Sequence, residues 1–66
     1  MRILIALVWL PGQQYQVTLT LGNCAATANE NHVLTLAAGN SGFTYEVLSY
    51  GSSTASGTVV VWELTT

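Results

Sequence analysis

A strict alternation of apolar and polar residues extends over positions 14–21 of this 66-residue chain. Tyr15, Val17, Leu19 and Leu21 occupy one side of the pattern, and Gln and Thr residues occupy the other. This period of two is typical of a β-strand with one face buried and one face in water. Because a strand needs partners, the alternation predicts that the chain folds around a sheet.

Two apolar runs, at positions 2–10 and 58–64, lack this alternation. Each is apolar on both sides when extended, and the first is stopped by Pro11 and Gly12 before a helix of useful length could form. Short runs of this kind favour strands that are covered on both faces. We therefore expect a strand at each end of the sequence with a partner over each face, supplied in part by other chains.

Two further strands are expected at positions 32–38 and 43–50. The turn-forming residues 39–42, Gly-Asn-Ser-Gly, favour a hairpin between them. Positions 22–31 and 51–57 are small and polar, which is typical of loops. The sequence thus predicts a single all-β domain over residues 1–66, built as a small antiparallel β-sandwich or open barrel of about five strands.

Charge is scarce in this chain. Only Arg2, Glu30, Glu46 and Glu63 are charged, 6% of the residues, where soluble domains usually carry about 25%. A single Arg cannot form the basic patch that nucleic acids require, so we expect no nucleic-acid binding. No apolar run approaches the roughly 20 residues that span a bilayer as a helix, so we expect no membrane span.

The usual devices that stabilise a very small domain are also missing from the sequence. Cys24 is the only cysteine and His32 the only histidine, so neither an internal disulfide nor a metal site within one chain is expected. We predict that the chain binds no cofactor. A domain of this size is close to the limit at which one core suffices, which leaves association as the remaining source of stability.

Candidate catalytic groups are few. Cys24 and His32 are separated by one loop, and Glu46 and Glu63 lie on strands that could be neighbours, as a pair of carboxylates would in a glycosidase. A buried thiol beside a strand and solvated carboxylates at polar strand positions explain the same residues without catalysis. The sequence therefore predicts a protein that is not an enzyme.

Aromatic side chains leave a second function open. Five of them could form a platform that stacks on sugar rings, which would make the chain a small secreted lectin-like carbohydrate-binding module. They are Trp9, Tyr15, Tyr45, Tyr50 and Trp62. Simple alternation places Tyr45 and Tyr50 on opposite faces of one strand, and both Trp residues fall in the apolar runs.

The function predicted first is that of a non-catalytic structural subunit in a symmetric assembly, such as a capsid cement or decoration protein, a shell protein or a filament. Its partners would be copies of itself and other structural proteins of the same assembly, in a virion or outside the cell. Contacts would be made by strands and apolar surface. The residues expected at these contacts are Ile3, Ile5, Leu7, Val8, Trp9, Leu10, Val59, Val60, Val61 and Trp62.

Overall fold

The computed structural model describes residues 1–20, 24–40, 42–52 and 57–66. Over these residues the chain is all β, with six strands and no helix. The strands are β1 (Arg2–Trp9), β2 (Tyr15–Thr18), β3 (Ala25–Ala28), β4 (Leu34–Leu36), β5 (Thr44–Ser52) and β6 (Thr58–Thr65). The predicted all-β class is confirmed, with six strands where about five were expected.

The additional strand is β3, which lies in a region predicted to be a loop. Its sequence, Ala-Ala-Thr-Ala, has little intrinsic preference for a strand. It is nevertheless the central strand of a sheet, where Ala26 and Ala28 are fully or almost fully buried. Long-range pairing and burial, which no local pattern reports, therefore determine this element.

The strands form two antiparallel sheets of three strands each. Sheet A has the order β1-β6-β5, and sheet B has the order β2-β3-β4. Sheet A thus joins the two ends of the sequence, because β1 pairs with β6 in an unbroken register from Arg2 opposite Thr65 to Trp9 opposite Thr58. The two apolar runs of the sequence are direct neighbours in one sheet.

The predicted hairpin across residues 39–42 is wrong, because β4 belongs to sheet B and β5 to sheet A. Gly39 has a φ of 97°, so the chain does turn there, and the next described strand, β5, lies in the other sheet; position 41 lies outside the described residues. Turn residues specify a change of direction and leave open which sheet the next strand joins.

Sheet B closes its own turn between β3 and β4 with Asn29. The Asn29 Oδ1 accepts hydrogen bonds from the N–H groups of Asn31 and Val33 at 2.9 and 3.1 Å. His32 lies inside this turn with a φ of 63°, a left-handed conformation that is uncommon for residues other than glycine. The strand predicted at 32–38 is therefore shortened to Leu34–Leu36.

One hydrophobic core receives side chains from both sheets. Sheet A contributes Ile5, Trp9, Val60, Trp62 and Leu64, and the sheet B side contributes Cys24, Ala26, Ala28 and Leu34. Large residues on one sheet thus pack with mostly small residues on the other, which is how two layers interdigitate without voids.

The two apolar runs differ in how one chain covers them. β6 is the central strand of sheet A, and its Val60, Trp62 and Leu64 side chains are 0% exposed. β1 is an edge strand, covered on its core-facing side only, with Leu4 and Val8 exposed by 63% and 50% on the other side. Within one chain neither strand is covered on both faces, since the outer side of β6, with Val59 and Val61, is only half-buried beside its neighbours in the sheet and that of β1 is exposed.

β5 contains a bulge between Val47 and Ser49, where Leu48 is the extra residue. Because of it, Tyr45 lies opposite Leu64 and Tyr50 lies opposite Val60, both core-facing residues of β6. Cross-strand partners share a face of the sheet, so the expected placement of the two tyrosines on opposite faces is wrong. Of the loop predicted at 51–57, positions 51 and 52 belong to β5 and positions 53–56 lie outside the described residues.

Candidate interaction surface

The backbone of β1 has an edge that none of the described strands of the chain pairs with in sheet A. The Thr66 N–H donates to the Met1 carbonyl at 3.1 Å, which makes Met1 and Thr66 a hydrogen-bonded pair. In a regular antiparallel ladder such pairs recur at every second residue. The odd-numbered residues of β1 therefore exchange backbone hydrogen bonds with β6. The even-numbered residues direct their N–H and C=O groups away from β6; they are Arg2, Leu4, Ala6 and Val8.

The residue after β1 agrees with this assignment and marks where the edge ends. Leu10 is even-numbered, like the residues of β1 whose backbone groups point away from β6. Its N–H donates to the Tyr15 hydroxyl at 3.0 Å. Pro11, which follows, has no N–H to offer. We call the four residues Arg2, Leu4, Ala6 and Val8 the open edge of β1.

The side chains of the open edge lie on the exposed face of sheet A. Leu4, Ala6 and Val8 are all exposed there, beside the half-buried Val59 and Val61 of β6. Unpaired backbone groups and apolar side chains thus coincide on one strand. An edge of this kind is a template for pairing with another strand.

A charged cluster lies at one end of the same face. Arg2 donates from Nε and Nη2 to the two carboxylate oxygens of Glu63, at 2.6 and 2.8 Å. These hydrogen bonds, with the attraction between the two opposite charges, lower the pKa of Glu63 and raise the pKa of Arg2. Glu46 is the direct cross-strand partner of Glu63 on the opposite side, so Arg2 compensates one of two adjacent carboxylates.

The second edge of sheet A is β5, and its geometry is different. The residues of β6 that turn away from β1 pair with Thr44, Glu46, Ser49 and Gly51 of β5. Apart from the bulge residue Leu48, the exposed face of β5 therefore consists of polar side chains and one glycine. The bulge also interrupts the regular spacing of the backbone groups at this edge.

Four rings form a chain of edge-to-face contacts that connects both sheets. Trp9 lies 4.4 Å from Tyr15 and 5.1 Å from His32, and His32 lies 4.6 Å from Tyr50, between ring centroids. The Trp62 indole N–H donates to the His32 carbonyl at 3.0 Å, which helps to hold the turn at its positive φ. The buried Nδ1 of His32 has no hydrogen-bond partner within the described part of the chain.

The aromatic side chains of the predicted sugar-stacking platform differ in how exposed they are. Trp9 and Trp62 are buried in the core, Tyr15 and Tyr45 are half-buried, and Tyr50 is 63% exposed. Trp9, Tyr15, His32 and Tyr50 meet edge to face, at interplanar angles of 67° to 80°. Tyr50 is therefore the aromatic side chain that offers the most surface to a sugar ring.

The candidate catalytic groups are placed as follows. Cys24 is a free thiol, fully buried in the core, and the His32 ring contacts Trp9 and Tyr50. Glu46 and Glu63 are direct neighbours on an open face, where the lowered pKa of Glu63 is the reverse of what a general acid requires. There is no pocket and no cluster of three or more potential metal ligands among the described residues, which are 1–20, 24–40, 42–52 and 57–66.

The ten predicted contact residues are divided by the fold. Four are buried in the core, four are half-buried, and only Val8 and Leu10 are exposed. The buried four are Ile5, Trp9, Val60 and Trp62, and the half-buried four are Ile3, Leu7, Val59 and Val61. Their role at an interface stays a prediction, and in this conformation a fully buried side chain has no surface to offer.

Sequence reasoning missed Leu4 and Ala6, which belong to the open edge. After Arg2 the run at 2–10 is apolar on both sides, so its composition gives little indication of which side faces the core. Trp9 is the largest residue of the run, and taking it as the core anchor would have placed every even-numbered residue on the exposed face.

Comparison of the chain with known proteins found no matching protein family, no similar curated protein and no similar solved structure. Among the described residues, no helix is long and apolar enough to cross a bilayer.

Proposed function

We propose that this chain is a non-catalytic structural subunit of a symmetric assembly, such as a shell, a filament or a layer that cements or decorates a capsid. Its contacts are made by strands and apolar surface, and its partners are copies of itself and other proteins of the same assembly. Its location is a virion or the outside of the cell, and its two sheets form a small β-sandwich. The observation that carries the proposal is the exposed apolar strand β1 at the edge of sheet A.

The total surface of the chain does not by itself require a partner. Its accessible area is 4268 Å², and a folded monomer of 7.0 kDa is expected to expose about 4,000 Å². The support comes from where the apolar residues lie. Leu4, Ala6 and Val8 form an exposed row on one strand, and only the Arg2–Glu63 pair places balanced charge beside it.

Scarcity of charge supports the same proposal. Soluble monomers are kept apart by charged surfaces, and this chain has one cation, already bound to Glu63, and three carboxylates over 66 residues. A face with so little charge pays a small desolvation penalty when it is covered by another protein surface.

Light scattering after size-exclusion chromatography, over a wide range of concentration, tests the proposal. We expect multimers whose share rises with concentration. Replacing the exposed Leu4 by Ser should weaken association about tenfold or more, since a large apolar side chain contributes about 1.5 to 3 kcal/mol when fully buried. The matched control is Val33→Ser, which removes a 44% exposed apolar side chain next to sheet B and should leave association unchanged.

A chain that remains monomeric at every concentration would overturn the proposal. If that monomer also bound glycans and lost binding on Tyr50→Ala, the lectin-like alternative would take its place.

A further inference from the structure

We infer that the open edge of β1 pairs with the same edge of a second copy, antiparallel and about a twofold axis at Ile5, so that two sheets A become one continuous sheet. This inference rests on the proposed function and specifies the contact through which copies associate. Three observations lead to it: the direction of the backbone groups, the position of the single charge and the place where the edge ends.

The first observation is the alternation of hydrogen bonds in β1. The four residues of the open edge direct their backbone groups away from β6. Another antiparallel strand must therefore form its backbone hydrogen bonds with these residues and with no others in β1. For two identical edges this restricts the pairing to registers that match even-numbered residues with even-numbered residues. The axis then passes through one residue of the strand.

The second observation is that the edge has a defined end. The N–H of Leu10 is already donated to the Tyr15 hydroxyl at 3.0 Å. A twofold axis at Ala6 would require Leu10 to pair with Arg2 of the second copy, and an axis at Leu4 would leave Val8 unpaired. With the axis at Ile5, Arg2 pairs with Val8 of the second copy and Leu4 pairs with Ala6, so all four open residues exchange their hydrogen bonds.

The third observation is the charge of the strand. Arg2 is the only charged residue of β1, and it lies at one end. Antiparallel pairing places the two Arg2 side chains at opposite ends of the contact, whereas parallel pairing would bring them side by side, which is unfavourable. The charges therefore favour the antiparallel twofold arrangement, in which each copy presents the same surface.

The side chains match in the same register. On the exposed face, Leu4 of each copy meets Ala6 of the other. On the core-facing side, the half-buried Ile3 meets Leu7, and Ile5 meets Ile5 across the axis. Apolar cross-strand pairs stabilise a sheet, so a contact formed first by backbone hydrogen bonds would also bury side chains that one chain leaves partly exposed.

The register can be read from disulfides between introduced cysteines. Paired residues in a hydrogen-bonded site have Cα atoms about 5.5 Å apart, within disulfide range, whereas the same residue in two copies would be about 8 to 9 Å apart when the axis is at Ile5. We therefore expect a covalent dimer when Leu4→Cys and Ala6→Cys proteins are mixed and oxidised. Neither variant alone should cross-link, and the unaltered chain, whose Cys24 is buried, is the control.

The edge itself is tested by Ala6→Pro, which removes an outward N–H and leaves the β1–β6 hydrogen bonds in place. We expect the dissociation constant to rise by about tenfold or more. The control is Val47→Pro, which removes an outward N–H from the β5 edge and should change association less than about threefold. Circular dichroism checks that each variant is folded, and the cysteine experiment does not depend on the proline variants.

The outcomes separate the inference from the proposed function. Multimers with a dimer from the mixed cysteine variants support both. Multimers in which Ala6→Cys or Leu4→Cys cross-links alone, or in which nothing cross-links and folded Ala6→Pro associates normally, overturn this edge pairing and leave the structural role standing. A chain that is monomeric throughout overturns the structural role and the inference with it.

Discussion

β1 and β5 flank the same central strand, yet they present different edges. β1 has eight residues, an unbroken register and an exposed row of apolar side chains. β5 has nine residues, a bulge between Val47 and Ser49, and an exposed face formed largely by Thr44, Glu46, Ser49 and Gly51. Their hydrogen-bonding capacity is similar, and only β5 carries the features that discourage further pairing.

Whether an edge strand accepts a new neighbour depends on the regularity of its backbone and on its side chains, as well as on its unpaired N–H and C=O groups. A bulge moves backbone groups out of register, and polar side chains are costly to cover. With a bulged, polar edge on β5 and a regular, apolar edge on β1, sheet A favours extension at β1 only, and pairing through that edge alone gives a closed dimer.

The largest effect is expected from prolines at adjacent positions of β1. Leu7 donates its N–H to β6, whereas the N–H of Ala6 points to the open edge. Leu7→Pro should lower the free energy of unfolding by about 3 kcal/mol or more, and Ala6→Pro should lower it much less. Urea unfolding of both variants at a concentration where the chain is dissociated makes the measurement, and equal losses would contradict the alternation assigned to β1.

Removing the bulge of β5 should have the next largest effect. Deletion of Leu48 takes out the extra residue and leaves Val47 and Tyr50 on the core-facing side, so the strand becomes a regular edge. We expect sheet A to gain a second site for pairing, so that the variant forms species larger than those of the unaltered chain, and these should grow with concentration. Light scattering would detect them, and an unchanged size distribution would show that the bulge does not limit assembly.

The smallest effect is a difference in sign at Val8, which lies opposite Arg2 of the second copy in the inferred register. Relative to the neutral Val8→Asn, Val8→Asp should tighten the dimer and Val8→Lys should loosen it, each by a few-fold, since an exposed ion pair contributes about 0 to 1 kcal/mol. Added salt should reduce the difference. Equal weakening by both charges would indicate a contact through the apolar face without this register.

The strands that the sequence predicts best are those whose pattern is local. The alternation over 14–21 contains β2, and the apolar runs contain β1 and most of β6. β3 escapes prediction because its alanines become strand residues only through pairing with β2 and β4. The change of sheet after Gly39 and the bulge at Leu48 are likewise set by tertiary packing.

The candidate surface is predictable only in part, for a related reason. Composition indicates that the first strand is apolar on both sides, and this suffices to expect contacts from it. Which half of its residues faces outward depends on the partners of Trp9 in the core, namely Tyr15 and His32, which lie on other elements. Arg2, at the first position of β1, is the one polar residue of the strand and lies on the exposed side, but a single terminal residue is a weak marker of which face is exposed.

The pairing of β1 with β6 also affects when the strands can pair during synthesis. Arg2 meets Thr65 across almost the whole length of the chain, and contacts of such long sequence separation close slowly because the intervening chain must first be ordered. On a ribosome, β1 emerges before the other described strands, and its partner β6 emerges after them. β1, the most apolar of the described strands, is therefore without its neighbour while the strands between them are synthesised, and in that interval nascent chains on adjacent ribosomes present to each other the same strand that the finished fold leaves with one side open.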